Sequence, residues 1–264
     1  MTELASGKLV LDEPADGVAR LRIANPQRRG ALDHEILDTL AQTVRGLDAR
    51  CLLLTGTGKV FSAGYDLGDL QGQEFEQAAE KLVAHPFHAA IEALDDYPYP
   101  AVAALNGHAL GGGLELALTC DIRLAATKAK MGMPPAKLGL IYSHTGLRRF
   151  VEACGAANTA ELFYTATNVD ARRGLEMGLV GHVVDAGDLD DRAVEMAAAI
   201  AAGAPLSLSG NKRILRVLRA EAAALAPDVE QELIALRESC FASEDFAEGV
   251  RAFGEKRAPR WQGR

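Results

Sequence analysis

The sequence has no uninterrupted apolar run near the roughly 18 residues that a membrane-spanning helix needs. Its opening, MTELASGKLV, lacks the basic and apolar segments of a signal peptide. A cytoplasmic protein without a membrane partner is therefore expected. Cysteine is sparse: Cys51, Cys120, Cys154 and Cys240 are scattered with no C-x-x-C spacing, so neither a disulfide framework nor a zinc site is expected. Positive charge is also short. A formal charge of -8 leaves no general basic footprint for nucleic acid, and an anionic ligand would need a local basic patch. Internal repeats and low-complexity tracts are missing too.

What is present describes a globular chain: 264 residues, 48% hydrophobic and 24% charged, enough for a sizeable core. Apolar segments with strand character recur at 18–23 (VARLRI), 51–56 (CLLLTG), 101–107 (AVAALNG), 122–127 (IRLAAT) and 179–184 (LVGHVV). Helical stretches lie between them. Asp33 is placed to cap a helix over 34–47, and 75–96 supplies a second with a kink or break near Pro86. This alternation predicts an α/β core with parallel strands and right-handed crossovers over residues 1–186. From 187 to 264 the pattern is helical throughout, with three or four helices.

Two motifs carry no chemistry. TGTGK at 55–59 lacks the first glycine of a phosphate-binding loop, since Leu53 stands there, and Val60 follows Lys59 in place of Ser or Thr. His85 and His88 have i, i+3 spacing but no assured third ligand, so no metal is expected.

The stretch LNGHALGGGLELALTCDI, 105–122, is different. A helix opening at Gly111–Gly113 presents unpaired N–H groups and its positive dipole end, and glycine lets a ligand oxygen approach closely. Tight packing against a neighbouring strand is the other reading of the same glycines. A second segment, VFSAGYDLGDL at 60–70, turns at Ala63–Gly64 and can aim the Ala63 N–H at the point served by Gly112. Two such donors stabilise charge developing on a carbonyl oxygen, and each is worth about 3 kcal/mol.

FSAGYDL, NGHALGGGLELALTCDIRLA, MGMPPAKLGLIYSHTGLRRF, GLVGHVV and EGVRAFGEKRAPRW, with NPQRRGALD near the start, resemble in order and spacing the enoyl-CoA hydratase/isomerase (crotonase) family. The resemblance covers nearly the whole chain. It implies a ClpP/crotonase-like spiral of ββα units in residues 1–186, a helical oligomerisation region in 187–264, and a homotrimer or homohexamer. It also implies an acyl-CoA thioester substrate, whose coenzyme A enters as part of the substrate and not as a cofactor. By resemblance, the thioester oxygen sits between the amides of Ala63 and Gly112. Coenzyme A lies near Arg28, Arg29 and Ala31 and along Ala63, Gly64, Tyr65, Asp66 and Leu67, with Gly111 and Pro135 also at the substrate. Phe253 and Lys256 resemble residues that reach the nucleotide, often from a neighbouring subunit. Asp66 and Asp121 are read as structural acids, one capping a turn and one satisfying buried amides.

The departures from the family pattern bear on the reaction. A typical hydratase of this family has two catalytic glutamates, one matching Glu115 and the other falling at Pro135. Proline has no titratable group, so paired-carboxylate hydration is impaired. The combination resembles the methylmalonyl-CoA decarboxylase branch, where Tyr142 would face the substrate carboxylate. That branch places histidine where this chain has Tyr65; His144 is a candidate to compensate, or a capping or packing residue. Glu115 is either a general acid or base of raised pKa or a structural hydrogen-bonding group. Three readings stand: decarboxylase of a 2-carboxyacyl-CoA, hydratase or isomerase working with Glu115 alone, and non-catalytic CoA-binding scaffold.

Overall fold

The computed structural model describes residues 1–66, 86–222 and 225–262. The chain begins with an antiparallel meander of β1 (Thr2–Leu4), β2 (Leu9–Ala15) and β3 (Val18–Ile23). Helix α1 (His34–Arg45) follows, and its N-cap is Asp33, whose side chain accepts from the Ile36 N–H, as its sequence predicts. Strand β4 (Cys51–Gly56) returns parallel to β3, and all six of its residues are buried. Such a continuous apolar run is what a parallel strand covered on both faces requires.

From here the chain alternates between two sheets. β5 (Val60–Ser62) leaves the first sheet for the second; α2 (His88–Asp96) then leads back to β6 (Ala101–Leu105) beside β4. β7 (His108–Leu110), α3 (Gly112–Thr119), β8 (Ile122–Ala126) and β9 (Lys130–Gly132) repeat the pattern. Each turn thus gives one strand to the large sheet, one to the small sheet, and a helix. The sheets have the orders β1-β2-β3-β4-β6-β8-β11 and β10-β9-β7-β5. They are completed after α4 (Pro135–Leu138) and α5 (His144–Thr165) by β10 (Val169–Asp170), α6 (Ala171–Met177) and β11 (His182–Val184). The fold class read from the sequence is the one observed.

Alternation of side chains along the strands divides the core. Leu52, Leu54, Ala103, Leu105 and Ala125 join α1, α2, α3 and α5 in the main cluster. Cys51, Leu53, Val102, Ala104, Leu124 and Ala126 face α7 (Leu189–Ala201), which packs through Leu189, Ala193, Ala197 and Ala201. The first helix of the C-terminal helical stretch is therefore part of the sheet's own packing. Beyond it lie α8 (Pro205–Ala222), α9 (Pro227–Phe241) and α10 (Glu244–Gly254).

Some expectations shift. Of the strand predicted at 179–184 only β11 pairs, because Leu179 is used to close α6: after Gly178 at φ 90° its N–H bonds the Gly174 carbonyl at 2.9 Å. Of the helix predicted over 75–96, the part up to 85 lies outside the described residues, as do His85 and Leu67. His88 pairs with Glu92 one turn on, at 3.0 Å.

Candidate active site

The two glycine-rich segments meet. Gly111, at φ 53° and ψ −128°, donates to the Gly132 carbonyl at 3.0 Å and turns β7 into α3. Gly64, at φ 93°, lies against that turn: a Cβ there would stand 2.9 Å from the Leu110 carbonyl oxygen and 3.2 Å from the Gly112 nitrogen. Only glycine fits both the backbone angle and the approach. A Cβ on Gly113 would sit 2.6 Å from Ser62, so close strand packing explains that glycine. Ser62 itself is buried, donating to the Gly30 carbonyl at 2.8 Å and accepting from the Gly64 N–H at 3.1 Å.

One amide of the expected donor pair is already taken. The Ala63 N–H is already spent on the Arg29 carbonyl at 3.1 Å, so Ala63 is not a free oxyanion donor. Two residues on, Tyr65 forms a parallel bridge with Leu32 that uses the Gly64 carbonyl and the Asp66 N–H but not the Tyr65 N–H. Neither the Tyr65 N–H nor the Gly112 N–H has a hydrogen bond among the described residues. The arrangement leaves the Tyr65 and Gly112 amides, next to the close Gly64–Gly112 approach, without a hydrogen-bond partner among the described residues.

Around them lies a buried acid. Glu115, 4% exposed, is in the first turn of α3. The Tyr142 hydroxyl donates to its Oε2 at 2.5 Å. Arg149 Nε, buried and without a hydrogen-bond partner, is 3.9 Å from its Oε1. The rest of that guanidinium is held by Asp95 at 3.2 and 2.5 Å. Burial pushes the Glu115 carboxyl above the usual carboxylate range, opposed by the Tyr142 hydrogen bond and by the charges of Arg149 and Arg237. Burial, reinforced by the Glu115 charge, also holds both Tyr65 and Tyr142 protonated well above the ordinary phenol range. The Tyr65 ring covers Gly112, where a Cβ would meet Cε1 and Cζ at 2.9 Å, and packs edge-on against Phe87.

Facing α3, the Pro134–Pro135 segment opens α4, with Pro134 Cδ 3.8 Å from the position of a Cβ on Gly111. Pro135 is buried. At this position, read from the sequence as that of a second glutamate, the ring offers no titratable group. Gly139, at φ 67°, ends α4 and leads to Tyr142. His144 pairs with Glu230 of α9 at 3.3 Å, and the N-cap of α5 is Ser143, accepting from the Gly146 N–H at 3.1 Å.

The expected coenzyme A residues are partly engaged. Arg28 forms a two-pronged pair with Asp66 at 3.0 and 3.2 Å, while the turn that Asp66 is expected to cap runs on into residues outside the described ones. Arg29 is exposed at φ 55°, while Ala31 is buried beside it. Phe253 is 70% exposed on α10, and Lys256 lies exposed beyond it at φ 54°. Asp121 accepts from the Ala101 N–H at 2.7 Å, the structural role expected of it. Sequence reasoning missed Arg149 and Arg237, whose only signal was a position among apolar residues on helices. No cluster of three or more potential metal ligands occurs among the described residues.

The family model for enoyl-CoA hydratase/isomerase matches residues 13–264. The chain belongs to this family. It is 36% identical over 251 residues to the putative enoyl-CoA hydratase/isomerase YngF of Bacillus subtilis, covering 93% of this chain and 95% of that protein. It is 30% identical over 251 residues to methylmalonyl-CoA decarboxylase of Escherichia coli, with the same coverage. Among solved structures, methylmalonyl-CoA decarboxylase in complex with 2-nitronate-propionyl-CoA superposes at TM-score 0.88 and 29% identity, covering 97% of this chain and 99% of that one. The crotonase fold and an enzyme acting on acyl-CoA follow from this membership; the two relatives bear the names of different reactions.

Proposed function

We propose that this family member decarboxylates a 2-carboxyacyl-CoA, with methylmalonyl-CoA as the model substrate. The observation that carries the reading is the Glu115–Tyr142 pair opposite Pro135: one buried acid, one hydroxyl on it at 2.5 Å, and no titratable group at the second position. Similarity to a methylmalonyl-CoA decarboxylase supports it.

The Tyr65 and Gly112 amides would receive the thioester oxygen. With the substrate carboxylate held out of the thioester plane, its bond to the α-carbon breaks, the electron pair enters the enolate, and CO2 departs. No base is required. The enolate carbon then takes one proton from the Tyr142 hydroxyl, which regains one from protonated Glu115, and Glu115 is recharged from water. A buried carboxyl of raised pKa suits this donor role, and a neutral Glu115 does not repel the substrate's own carboxylate. The step involves no redox change and calls for no cofactor beyond the substrate's coenzyme A.

A second reading, isomerase or hydratase chemistry with Glu115 as the single base, is favoured by the same raised pKa and by the similarity to YngF. Glu115→Gln and Tyr142→Phe, each assayed on methylmalonyl-CoA and crotonyl-CoA, separate the two. Under the decarboxylase reading both variants slow CO2 release. Loss of crotonyl-CoA turnover in Glu115→Gln, with Tyr142→Phe silent, would favour the second.

A further inference from the structure

Helix α9 is laid across the loop that carries Tyr142. It is fastened there at two points, Glu230 to His144 at 3.3 Å and Cys240 Sγ to the Gly139 carbonyl at 3.2 Å. Positions 230, 237, 240 and 241 share one helical face, so Arg237 lies on the side turned to the loop. Its guanidinium stacks on the ring of buried Phe241, 5.1 Å from the centroid, and Phe241 packs edge-on against Phe246. Arg237 is half-buried and has no hydrogen bond or ion pair with the described residues. Its charge nevertheless reaches Glu115 and Tyr65.

Arg149 is clamped by Asp95, and Arg28 by Asp66. Arg237 by contrast is a cation with no carboxylate partner among the described residues, held by an aromatic platform on the helix that is fastened to the Tyr142 loop. A half-desolvated guanidinium in this setting interacts more strongly with an incoming anion than a surface one does.

Resting on the decarboxylase reading, we infer that Arg237 is the specificity residue that admits acyl groups bearing a carboxylate. It acts on binding and not on the chemical step. Decarboxylation moves negative charge off the carboxylate and onto the thioester oxygen, so a cation near the carboxylate favours the bound ground state at least as much as the transition state. Such a residue lowers KM without raising kcat.

The test uses Arg237→Met, whose thioether stem can remain on Phe241, and Arg237→Lys, which keeps the charge. Each folded variant, checked by circular dichroism, is titrated with 2-carboxypropyl-CoA, a thioether that keeps the carboxylate but forms no enolate, and with propionyl-CoA. The wild type is expected to prefer the carboxylated ligand. Arg237→Met should weaken it about tenfold or more, leave propionyl-CoA within about twofold, and raise KM for methylmalonyl-CoA with kcat unchanged. Arg237→Lys should retain most of the preference. An undiminished preference in Arg237→Met, or loss of binding to both ligands alike, overturns the role given to Arg237 and leaves the decarboxylase reading standing. A wild type without preference for the carboxylated ligand overturns that reading itself.

Discussion

The Tyr142 hydroxyl donates to Glu115 Oε2 at 2.5 Å, joining the loop after α4 to the first turn of α3 across 27 residues of sequence. The phenol has one proton to give. While Glu115 is ionised that proton is committed to it, and when Glu115 is neutral the carboxyl can donate instead, freeing the Tyr142 O–H for substrate.

Tyr142→Phe therefore removes the relay and leaves a buried carboxyl without its donor. The expected loss is that of a proton donor, roughly a hundredfold or more in kcat on methylmalonyl-CoA. Binding of propionyl-CoA should hardly change. Steady-state kinetics beside a binding titration gives both numbers.

The pH profile follows from the direction of the Glu115 shift. Burial raises its pKa, so the protonated donor persists above the ordinary carboxylate range and is lost as pH rises through the shifted value. Decarboxylation by the wild type should fall with a single alkaline limb. In Glu115→Gln the limb should vanish and the residual rate be flat. A limb that survives the substitution assigns the titration to another group.

Gly64→Ala tests the turn that brings the two amides together. The substitution forces a side chain into φ 93° and a Cβ to 2.9 Å from the Leu110 carbonyl oxygen. Strain of this kind costs about 1 to 3 kcal/mol. A lower melting temperature is expected, with activity reduced more than stability in the surviving folded fraction. Gly58→Ala, at φ 71° but with open space around it, should keep full activity.

Assembly is a further expectation. Leu206, Ile214, Leu215, Val217 and Leu218 on α8 and Leu236 on α9 are each at least 52% exposed, an apolar surface unusual for a single chain. Light scattering should report a trimer or hexamer, and Leu215→Glu with Leu218→Glu should dissociate it. Phe241, on the same helix as Leu236, is not part of that surface: it is buried within the chain against Phe246.

Much of this was legible in the residues. The buried run of β4, the Asp33 cap and the glycine start of α3 are local signals, and each is found where the pattern puts it. Helix α5 was not legible, since Gly155 at φ 75° breaks it and the surrounding ACGAANTA stretch shows no clear apolar period. Strands of two or three residues, such as β7, β9 and β10, are too short to show alternation. That the Ala63 amide is not free could not be read from FSAGYD, because it depends on the Arg29 carbonyl, which arrives from a turn 34 residues earlier. Arg237 is a long-range neighbour of Glu115 that no local motif marks, and Arg149 stands inside the quoted MGMPPAKLGLIYSHTGLRRF stretch with nothing local to tie it to Glu115.

The central claim is the reaction itself. Purified wild-type protein incubated with methylmalonyl-CoA and, separately, with crotonyl-CoA, and followed by mass spectrometry, tests it most directly. Propionyl-CoA and CO2 are expected from the first and little or no hydrated product from the second. Robust hydration of crotonyl-CoA, with no CO2 released from methylmalonyl-CoA, would contradict it.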